Sequence, residues 1–166
     1  EKEITKKFKL NSEDHPATFS PTMISEFIKF FTKEGGIVLD PFNGIGTTLV
    51  ACDRTQRKGV GIELNKKYCE IARSRTKQKI IHGSSENLEN LFKKNKIKKI
   101  DFSISSPPYW NILQRSTKDF KKIRLDKNLD SHYSDDFKDI GNIESYDDFL
   151  EKLTNIYLSI FNVLKK

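Results

Sequence analysis

The sequence IVLDPFNGIGTT, residues Ile37–Thr48, joins a short apolar run to a glycine-rich turn. The continuous run of aliphatic residues that ends at Asp40 is typical of a strand buried on both faces of a parallel sheet. Gly44 and Gly46 allow the backbone to turn sharply, and a helix is predicted over Thr47–Arg57. A strand, a tight turn and a helix start together predict a ligand site, because the free N–H groups of a helix N-terminus bind negatively charged groups.

The same alternation of strand and helix continues along the chain. Further strands are predicted at Gly59–Glu63, Lys79–His82 and Ile100–Ser105, and further helices at Thr22–Phe31, Lys66–Gln78 and Ser85–Lys93, with a last helix after Ser145. Such alternation predicts an α/β fold with a doubly wound, Rossmann-like parallel sheet. With the first strand central, the strand order is 3-2-1-4. Ligands of such sheets bind where the order reverses, between strands 1 and 4.

Apolar spacing predicts the faces that the helices bury. In the first helix the spacing runs through Met23, Phe27 and Phe30, and in the second Leu49, Ala51 and Cys52 are available for packing. Ser145 and Asp148 have capping-box spacing at the start of the last helix. Its predicted apolar face consists of Phe149, Leu150, Leu153, Ile156, Tyr157, Ile160, Phe161 and Leu164. Residues 111–142 show no periodicity and are predicted to form a mobile loop or lid.

Composition limits the class of protein. The 166 residues suit one domain, and the net charge of +7 favours a polyanionic partner. Lysines cluster at Lys93–Lys99 and again at Lys118–Arg124, directly after the second motif described below. No apolar run in the sequence is long enough to span a bilayer, and we expect no signal peptide. Cys52 and Cys69 lack metal or CxxC spacing, so we expect reduced, buried thiols of an intracellular protein and no metal site.

The residues of the first motif suit an amino-acid group. Asp40 at the strand end would accept hydrogen bonds from an ammonium group, and Thr47 and Thr48 at the helix start would suit a carboxylate. Glu63 ends the second strand, a position where acids commonly hold ribose hydroxyls. A plain tight turn or a dinucleotide site are the alternatives. Leu49 stands where a dinucleotide fingerprint has its third glycine, which weakens the dinucleotide interpretation.

A second motif, SPPYW, follows the fourth predicted strand as Ser106–Trp110. Pro107 and Pro108 fix their φ angles and donate no N–H, which leaves backbone carbonyls available to a ligand. Ser106 offers a hydroxyl acceptor and Tyr109 a flat ring for stacking, so the loop could hold an exocyclic amine and its base. The alternative is a rigid loop with its tyrosine packed on the core. Trp110 could stack on a ligand or pack.

These motifs together resemble the DNA amino-methyltransferases, which use S-adenosyl-L-methionine to methylate adenine-N6 or cytosine-N4. The resemblance rests on DPFNGIGTT (Asp40–Thr48) and SPPYW, and extends to HPATFSP (His15–Pro21), GIELN (Gly61–Asn65) and HGSS (His82–Ser85), in that order. It implies S-adenosyl-L-methionine as cofactor. The implied cofactor-binding residues are Phe19, Asp40, Pro41, Phe42, Gly44, Gly46, Thr47, Thr48, Glu63, Leu64 and Ser84. Ser84 stands where the family often has an acid.

The resemblance also implies the chemistry of the second motif. Ser106 and the Pro107 carbonyl would accept hydrogen bonds from the target amine, Tyr109 would stack on a base flipped out of the duplex, and Pro108 would stiffen the loop. Serine as the first residue of this motif favours cytosine-N4 over adenine-N6. A cysteine-nucleophile enzyme is disfavoured, since neither cysteine follows a proline. The alternatives are an RNA base amino-methyltransferase and a non-catalytic module that binds cofactor or nucleic acid with a partner chain.

The domain predicted from the resemblance covers residues 1–166 as one methyltransferase catalytic domain. Because the family sheet normally has seven strands, we expect this one to be C-terminally truncated or split, with a further segment or a second polypeptide completing the sheet and target recognition. Double-stranded DNA is the expected partner, without a membrane. A cytoplasmic, nucleoid-associated protein of restriction-modification or DNA methylation is the expected setting.

Overall fold

The computed structural model describes residues 20–110 and 138–166. In chain order the elements are α1 (Pro21–Phe31), β1 (Ile37–Asp40), α2 (Thr47–Arg54), β2 (Lys58–Glu63), α3 (Lys66–Arg75), β3 (Lys79–His82), a 3-10 turn (Ser85–Asn87), α4 (Leu88–Lys94), β4 (Phe102–Ser103), a second 3-10 turn (Ile140–Asn142) and α5 (Tyr146–Val163). Phe19, most of the HPATFSP segment and residues 111–137 lie outside the described residues.

The four strands form one parallel sheet in the order β3-β2-β1-β4, which confirms the prediction. Each central strand is buried on both faces, and Val38, Leu39 and Ile62 are almost fully inaccessible. On one face, Val38 packs with Ile24 and Ile28 of α1 and with α2. The larger core cluster contains Leu39 and Ile62 and is covered by α4 and α5. The sheet is therefore a middle layer between two layers of helices, as a doubly wound fold requires.

The face that α1 buries differs from the prediction. Ile24 and Ile28 point into the core, whereas Met23, Phe27 and Phe30 are exposed, Phe30 by 82%. Both rows have helical spacing, one residue apart, so periodicity alone does not choose between them. The exposed row continues to Phe31, whose ring stacks on Phe102 of β4 at a centroid distance of 4.9 Å.

Two helices end earlier than predicted. The second was predicted to reach Arg57 but stops at Arg54, because Thr55 Oγ1 donates back to the Ala51 carbonyl and Gln56 takes a φ of 58°. The third was predicted to reach Gln78 but stops at Arg75, where Thr76 is extended and its hydroxyl donates to Asp53. Threonine hydroxyls that bond to nearby groups compete with helix continuation.

The fourth strand is shorter than the predicted Ile100–Ser105. Only Phe102 and Ser103 are strand residues, although Ile104 N–H still donates to the Leu39 carbonyl at 3.0 Å. Ser105 then turns its hydroxyl toward Asp40, and the chain leaves the sheet ahead of Pro107. Just before this strand, Ile100 forms an isolated parallel bridge with Leu164, the residue that follows α5. The backbone after α5 thus starts to run alongside the edge of β4 that pairs with no other strand of the described residues.

The last helix is capped as predicted, since Ser145 Oγ accepts from the Asp148 N–H at 3.3 Å. Its buried face comprises Phe149, Ile156, Ile160 and Val163. Three residues of the predicted apolar face are exposed instead: Leu150, Tyr157 and Phe161. Helix α5 has 18 residues and more apolar positions than can face the sheet together.

Residues Lys138–Asn142, the end of the segment predicted as a loop, lie in the described part. Ile140 begins a 3-10 turn and is only 5% exposed within the main core cluster. Asp139 is also buried and caps this turn through a hydrogen bond from the Gly141 N–H. The C-terminal end of the predicted loop is therefore packed on the core.

Both cysteines are buried and unpaired, as predicted. None of the helices in the described part of the chain has the length and apolar character needed to cross a membrane. Across residues 20–110 and 138–166, no cluster of three or more His, Cys, Asp or Glu side chains is placed to hold a metal ion.

Candidate active site

One cavity opens at the carboxyl ends of the strands, between the loops that follow β1, β2, β3 and β4. Most of the residues singled out from the sequence line it: Asp40, Pro41, Phe42, Gly44, Thr47, Thr48, Glu63, Leu64, Ser84, Ser106, Pro107, Pro108 and Tyr109. Gly46 is not among the lining residues. The two motifs, Asp40–Thr48 and Ser106–Trp110, are far apart in sequence but meet in one cavity.

Asp40 joins the first motif to Ser105, the residue immediately before the second motif. Its Oδ1 accepts a hydrogen bond from Ser105 Oγ at 2.5 Å and from the Phe42 N–H at 3.1 Å. The Thr48 hydroxyl also bonds to this carboxyl group. Burial raises the pKa of Asp40, while the bonds from Ser105, Thr48 and Phe42 act to lower it. Thr48, predicted at the carboxylate end of the cofactor, therefore supports Asp40 in this structure.

Glu63 holds the turn after β1 against the loop after β2. Its Oε2 accepts from the Gly44 N–H and its Oε1 from the Asn65 N–H, both at 2.7 Å. Burial outweighs these two bonds and raises the pKa of Glu63 to about 7, with a smaller contribution from the charges of Asp40 and Asp139. Each carboxylate oxygen has a second lone pair, so the side chain can still accept hydrogen bonds from a ligand.

The glycine turn has two positive-φ residues with different surroundings. Gly44 has a φ of 49°, and a Cβ built there would meet nothing within 4 Å. Gly46 has a φ of 84°, and a Cβ there would lie 3.0 Å from Ala72 Cβ of α3. Gly44 therefore faces the open cavity, whereas Gly46 allows close approach of two helices.

Asn43 is a site residue that the sequence analysis missed. It lines the cavity and is 4% exposed, and its side-chain oxygen is the one buried side-chain polar atom in the described residues that has no hydrogen-bond partner. Its backbone N–H donates to the Ile62 carbonyl and its carbonyl accepts from the Gly46 N–H. Its side chain packs so closely on Gly61 that a Cβ there would overlap it. Asn43 fixes the turn relative to β2.

The loop after β3 closes the far side of the cavity. Ser84 Oγ accepts from the Glu86 N–H at 3.3 Å, so this hydroxyl caps the 3-10 turn. Ser85 was not singled out from the sequence. It is buried, and its hydroxyl donates to the Pro41 carbonyl, which joins the loops after β1 and β3.

The second motif forms the more open wall. Tyr109 is 52% exposed, and its hydroxyl lies 3.4 Å from Ser106 Oγ. Lys138, Asp139 and Ile140 line the cavity as well, although they lie in the stretch predicted as a loop. No pattern in the sequence predicts that these residues reach the cavity, because their position depends on how α5 packs on the sheet.

The donors and acceptors in the cavity fit an S-adenosyl-L-methionine-sized ligand. Asp40 offers a buried acceptor for an ammonium group, the first turn of α2 presents backbone N–H groups beside Thr47, and Glu63 offers acceptors for hydroxyls. The space next to Gly44 leaves room for the ligand to approach the backbone. An amino acid joined to a nucleoside carries these three kinds of group.

Comparison with known proteins agrees with this donor set. Residues 1–74 match the family model described as DNA methylase, that of the N6/N4 methyltransferases. The orphan methyltransferase M.BamHII of Bacillus amyloliquefaciens is 43% identical over 67 residues, which is 40% of this chain and 25% of that protein. The type II methyltransferase M.Cfr9I of Citrobacter freundii is 49% identical over 61 residues, which is 37% of this chain and 20% of that protein.

Solved structures support the same fold. An O-methyltransferase from Bacillus cereus, in complex with S-adenosylhomocysteine, superposes with a TM-score of 0.53 at 16% identity, over 97% of this chain and 78% of that one. At this identity the likeness concerns the fold alone, that of a Rossmann-like methyltransferase.

The two relatives are matched over only 25% and 20% of their own length, and the family model ends before the second motif. Residues 1–74 contain the glycine turn and Glu63, which accepts hydrogen bonds from the Gly44 and Asn65 N–H groups. Over its N-terminal part the chain is therefore similar to the DNA methylases of the N6/N4 family, and the cavity it forms offers the groups that S-adenosyl-L-methionine requires.

Proposed function

We propose that the protein transfers a methyl group from S-adenosyl-L-methionine to the exocyclic amine of a base flipped out of DNA, with cytosine-N4 favoured over adenine-N6. The observation that carries the proposal is the meeting of the two motifs in one cavity, where Asp40 of the first motif accepts a hydrogen bond of 2.5 Å from Ser105, the residue immediately before the second. A cofactor site and a base site must adjoin for direct transfer, since the reacting atoms have to come within about 3–3.5 Å of each other.

On the cofactor side, the residues bind and orient. Asp40 would accept from the ammonium group, Thr47 and the start of α2 would hold the carboxylate, and Glu63 would hold the ribose hydroxyls. When bound, S-adenosyl-L-methionine supplies an electrophilic methyl group on a sulfonium. Thr48, Ser105 and Asn43 would hold the cofactor-binding residues in position and would not bind the ligand themselves.

On the base side, the residues make the amine nucleophilic. Ser106 Oγ and the Pro107 carbonyl would accept the two amine hydrogens, which draws the nitrogen lone pair out of conjugation with the ring. Tyr109, half exposed at the cavity wall, would stack on the flipped base. Because Pro107 and Pro108 have no backbone N–H, neither can donate a hydrogen bond that competes with the ligand for the carbonyls of this loop. Serine at 106 supports the preference for cytosine.

The net charge of +7 supports a DNA partner, and we place the protein in the cytoplasm with that DNA. Further sheet strands, from another segment or a second polypeptide, would cover the open edge of β4. Phe31, which is exposed and stacks on Phe102 of β4, and the bridge between Ile100 and Leu164 support this extension. Added amide protection at Phe102 and Ser103 in the longer assembly would test it.

The central experiment measures methyl incorporation into unmethylated genomic DNA, followed by mass analysis of the nucleosides. The wild-type protein is expected to produce N4-methylcytosine. The Ser106→Ala/Tyr109→Ala double variant should lose methylation by about a hundredfold or more, because it removes a positioned acceptor and the stacking surface. Its affinity for S-adenosyl-L-methionine, measured by calorimetric titration, should stay within about threefold of wild type.

Three results would contradict parts of this proposal. N6-methyladenine as the product would reverse the base preference. Methylation of RNA but not of DNA would indicate an RNA base amino-methyltransferase instead. Loss of cofactor affinity in the double variant would show that the second motif belongs to the cofactor site.

A further inference from the structure

Trp110, the last residue of the second motif, lies outside the cavity, although its neighbour Tyr109 lines it. Its indole Nε1 donates to the Ile143 carbonyl at 2.9 Å. Its ring meets the Tyr146 ring edge-on, with centroids 5.1 Å apart. It also packs on the main core cluster, next to Ile143. The ring and its N–H are therefore engaged by the segment that leads into α5.

We propose that Trp110 is a positioning residue that holds Tyr109 in place for the target base by fastening the end of the SPPYW loop to the start of α5. The proposal rests on the proposed function for the nature of the ligand. In this role Trp110 contacts neither the base nor the cofactor. Of the two roles that the sequence leaves open, stacking on a ligand and packing, Trp110 therefore has the second.

The backbone at Trp110 supports this role. Its φ is 48°, in the left-handed region that non-glycine residues rarely adopt. Such a conformation costs about 1–3 kcal/mol and persists only where the surrounding contacts impose it. Here the turn sends the Trp110 ring toward the core while the Tyr109 ring stays at the cavity wall, 52% exposed. The contacts of Trp110 are what impose the turn.

The other end of the loop is also fixed. Ser105 Oγ donates to Asp40 Oδ1 at 2.5 Å, so the four residues between Ser105 and Trp110 are held from both sides. Two of these four are prolines with fixed φ angles. Tyr109 can thus have an accessible ring and an ordered backbone together. A ring that is ordered before the base arrives loses less entropy on stacking.

The test compares Trp110→Phe, which keeps an aromatic ring but removes the N–H donor, with Phe161→Leu, a change at a site on α5 that is 72% exposed. Hydrogen exchange of a peptide spanning Ser105 to Trp110 is the first readout. Trp110→Phe is expected to speed exchange at Ser106 and Tyr109 by about tenfold, with no change in the peptides of β1 and β2. Phe161→Leu should leave all of these rates unchanged.

Kinetics supply the second readout. Trp110→Phe should lower kcat for DNA methylation by about tenfold, since a misplaced reactant costs rate. The Kd for S-adenosyl-L-methionine should stay within about twofold, because Trp110 does not reach the cofactor side. Tyr146→Leu, which removes the edge-on contact with Trp110 and the ring contact with Phe149 but keeps the Trp110 hydrogen bond, should give the same pattern to a smaller degree.

Unchanged exchange at Ser106 and Tyr109 in a folded Trp110→Phe protein would overturn the proposal, whether or not the protein methylates DNA. Faster exchange throughout the sheet would also overturn it, because Trp110 would then be a residue of general stability. If the wild-type protein shows no methylation, the proposed function fails, while the exchange result still tests whether Trp110 orders the loop.

Discussion

The two walls of the cavity are built differently. The wall from the loops after β1 and β2 is buried and cross-linked: Asp40, Asn43 and Glu63 together bond to backbone or hydroxyl groups of several neighbouring residues. The wall from the loop after β4 exposes Tyr109, leaves Ser106 partly accessible and is fixed at its two ends. The difference indicates that the proposed cofactor side is ordered by its own bonds, whereas the proposed base side leaves its polar groups available for a ligand.

The largest expected effect follows from removal of the group that joins the two walls. Asp40→Ala should weaken S-adenosyl-L-methionine binding by at least about thirtyfold, since it deletes a buried charge partner of the ligand. Calorimetric titration measures this. Ser105→Ala, which keeps the carboxylate and removes only the link, should change the Kd much less. Wild-type affinity in Asp40→Ala would show that the cross-linked wall does not bind the cofactor.

An intermediate effect concerns the protonation of Glu63. Its pKa of about 7 lies above the ordinary 4.5, so the folded, unliganded chain binds this proton more tightly than the unfolded chain. The contribution of Glu63 to stability therefore falls as the pH rises from 4.5 to about 7. Cofactor affinity should move the opposite way, because hydroxyl donors prefer the ionised carboxylate.

Titrations from about pH 6 to about pH 8 should thus show up to about a tenfold gain in affinity. Glu63→Gln serves as the control, since the dependence that remains in this variant belongs to the cofactor and to other groups. Equal pH profiles for the two proteins would remove Glu63 from the ribose site.

The smallest expected effect is the difference, about 1 kcal/mol in the free energy of unfolding, between substitutions at the two glycines of the turn. Gly46→Ala meets both an unfavourable φ and the Ala72 side chain, so it should lower the free energy of unfolding by about 2–3 kcal/mol. Gly44→Ala meets only the φ cost, about 1–2 kcal/mol, but places a methyl group in the open space beside the cavity. Thermal unfolding should therefore show the larger loss of stability in Gly46→Ala. Cofactor titration should show the larger loss of affinity in Gly44→Ala. The same ranking in both measurements would contradict the division of roles.

Much of the sheet could be predicted because strand runs such as Ile37–Leu39 are short, apolar and bounded by turn residues. The strand order followed from the parallel connections and was confirmed. The buried face of α1 could not be predicted, since two apolar rows lie one residue apart and only packing on Val38 selects Ile24 and Ile28. Helix ends depended on hydroxyl groups that bond to local or distant partners, as at Thr55 and Thr76.

The residues of the cavity divide in the same way. Positions inside a motif, such as Asp40 and Tyr109, could be predicted because their chemistry suits a ligand. Supporting positions were missed, because their partners are remote in sequence: Ser105 bonds to Asp40 across 65 residues and Ser85 to Pro41 across 44. Asn43 was missed although it lies inside the first motif, since its role depends on the absence of a side chain at Gly61.

The burial of the two cysteines has a practical consequence. Cys52 and Cys69 are the whole thiol content of the chain, both are inaccessible, and burial raises their pKa values to about 12 and about 11. Almost no thiolate forms at neutral pH, so alkylating reagents should leave the native protein unmodified. A single cysteine introduced at an exposed position would be the one reactive thiol. A fluorophore attached there would report ligand arrival at the cavity without any need for a cysteine-free background.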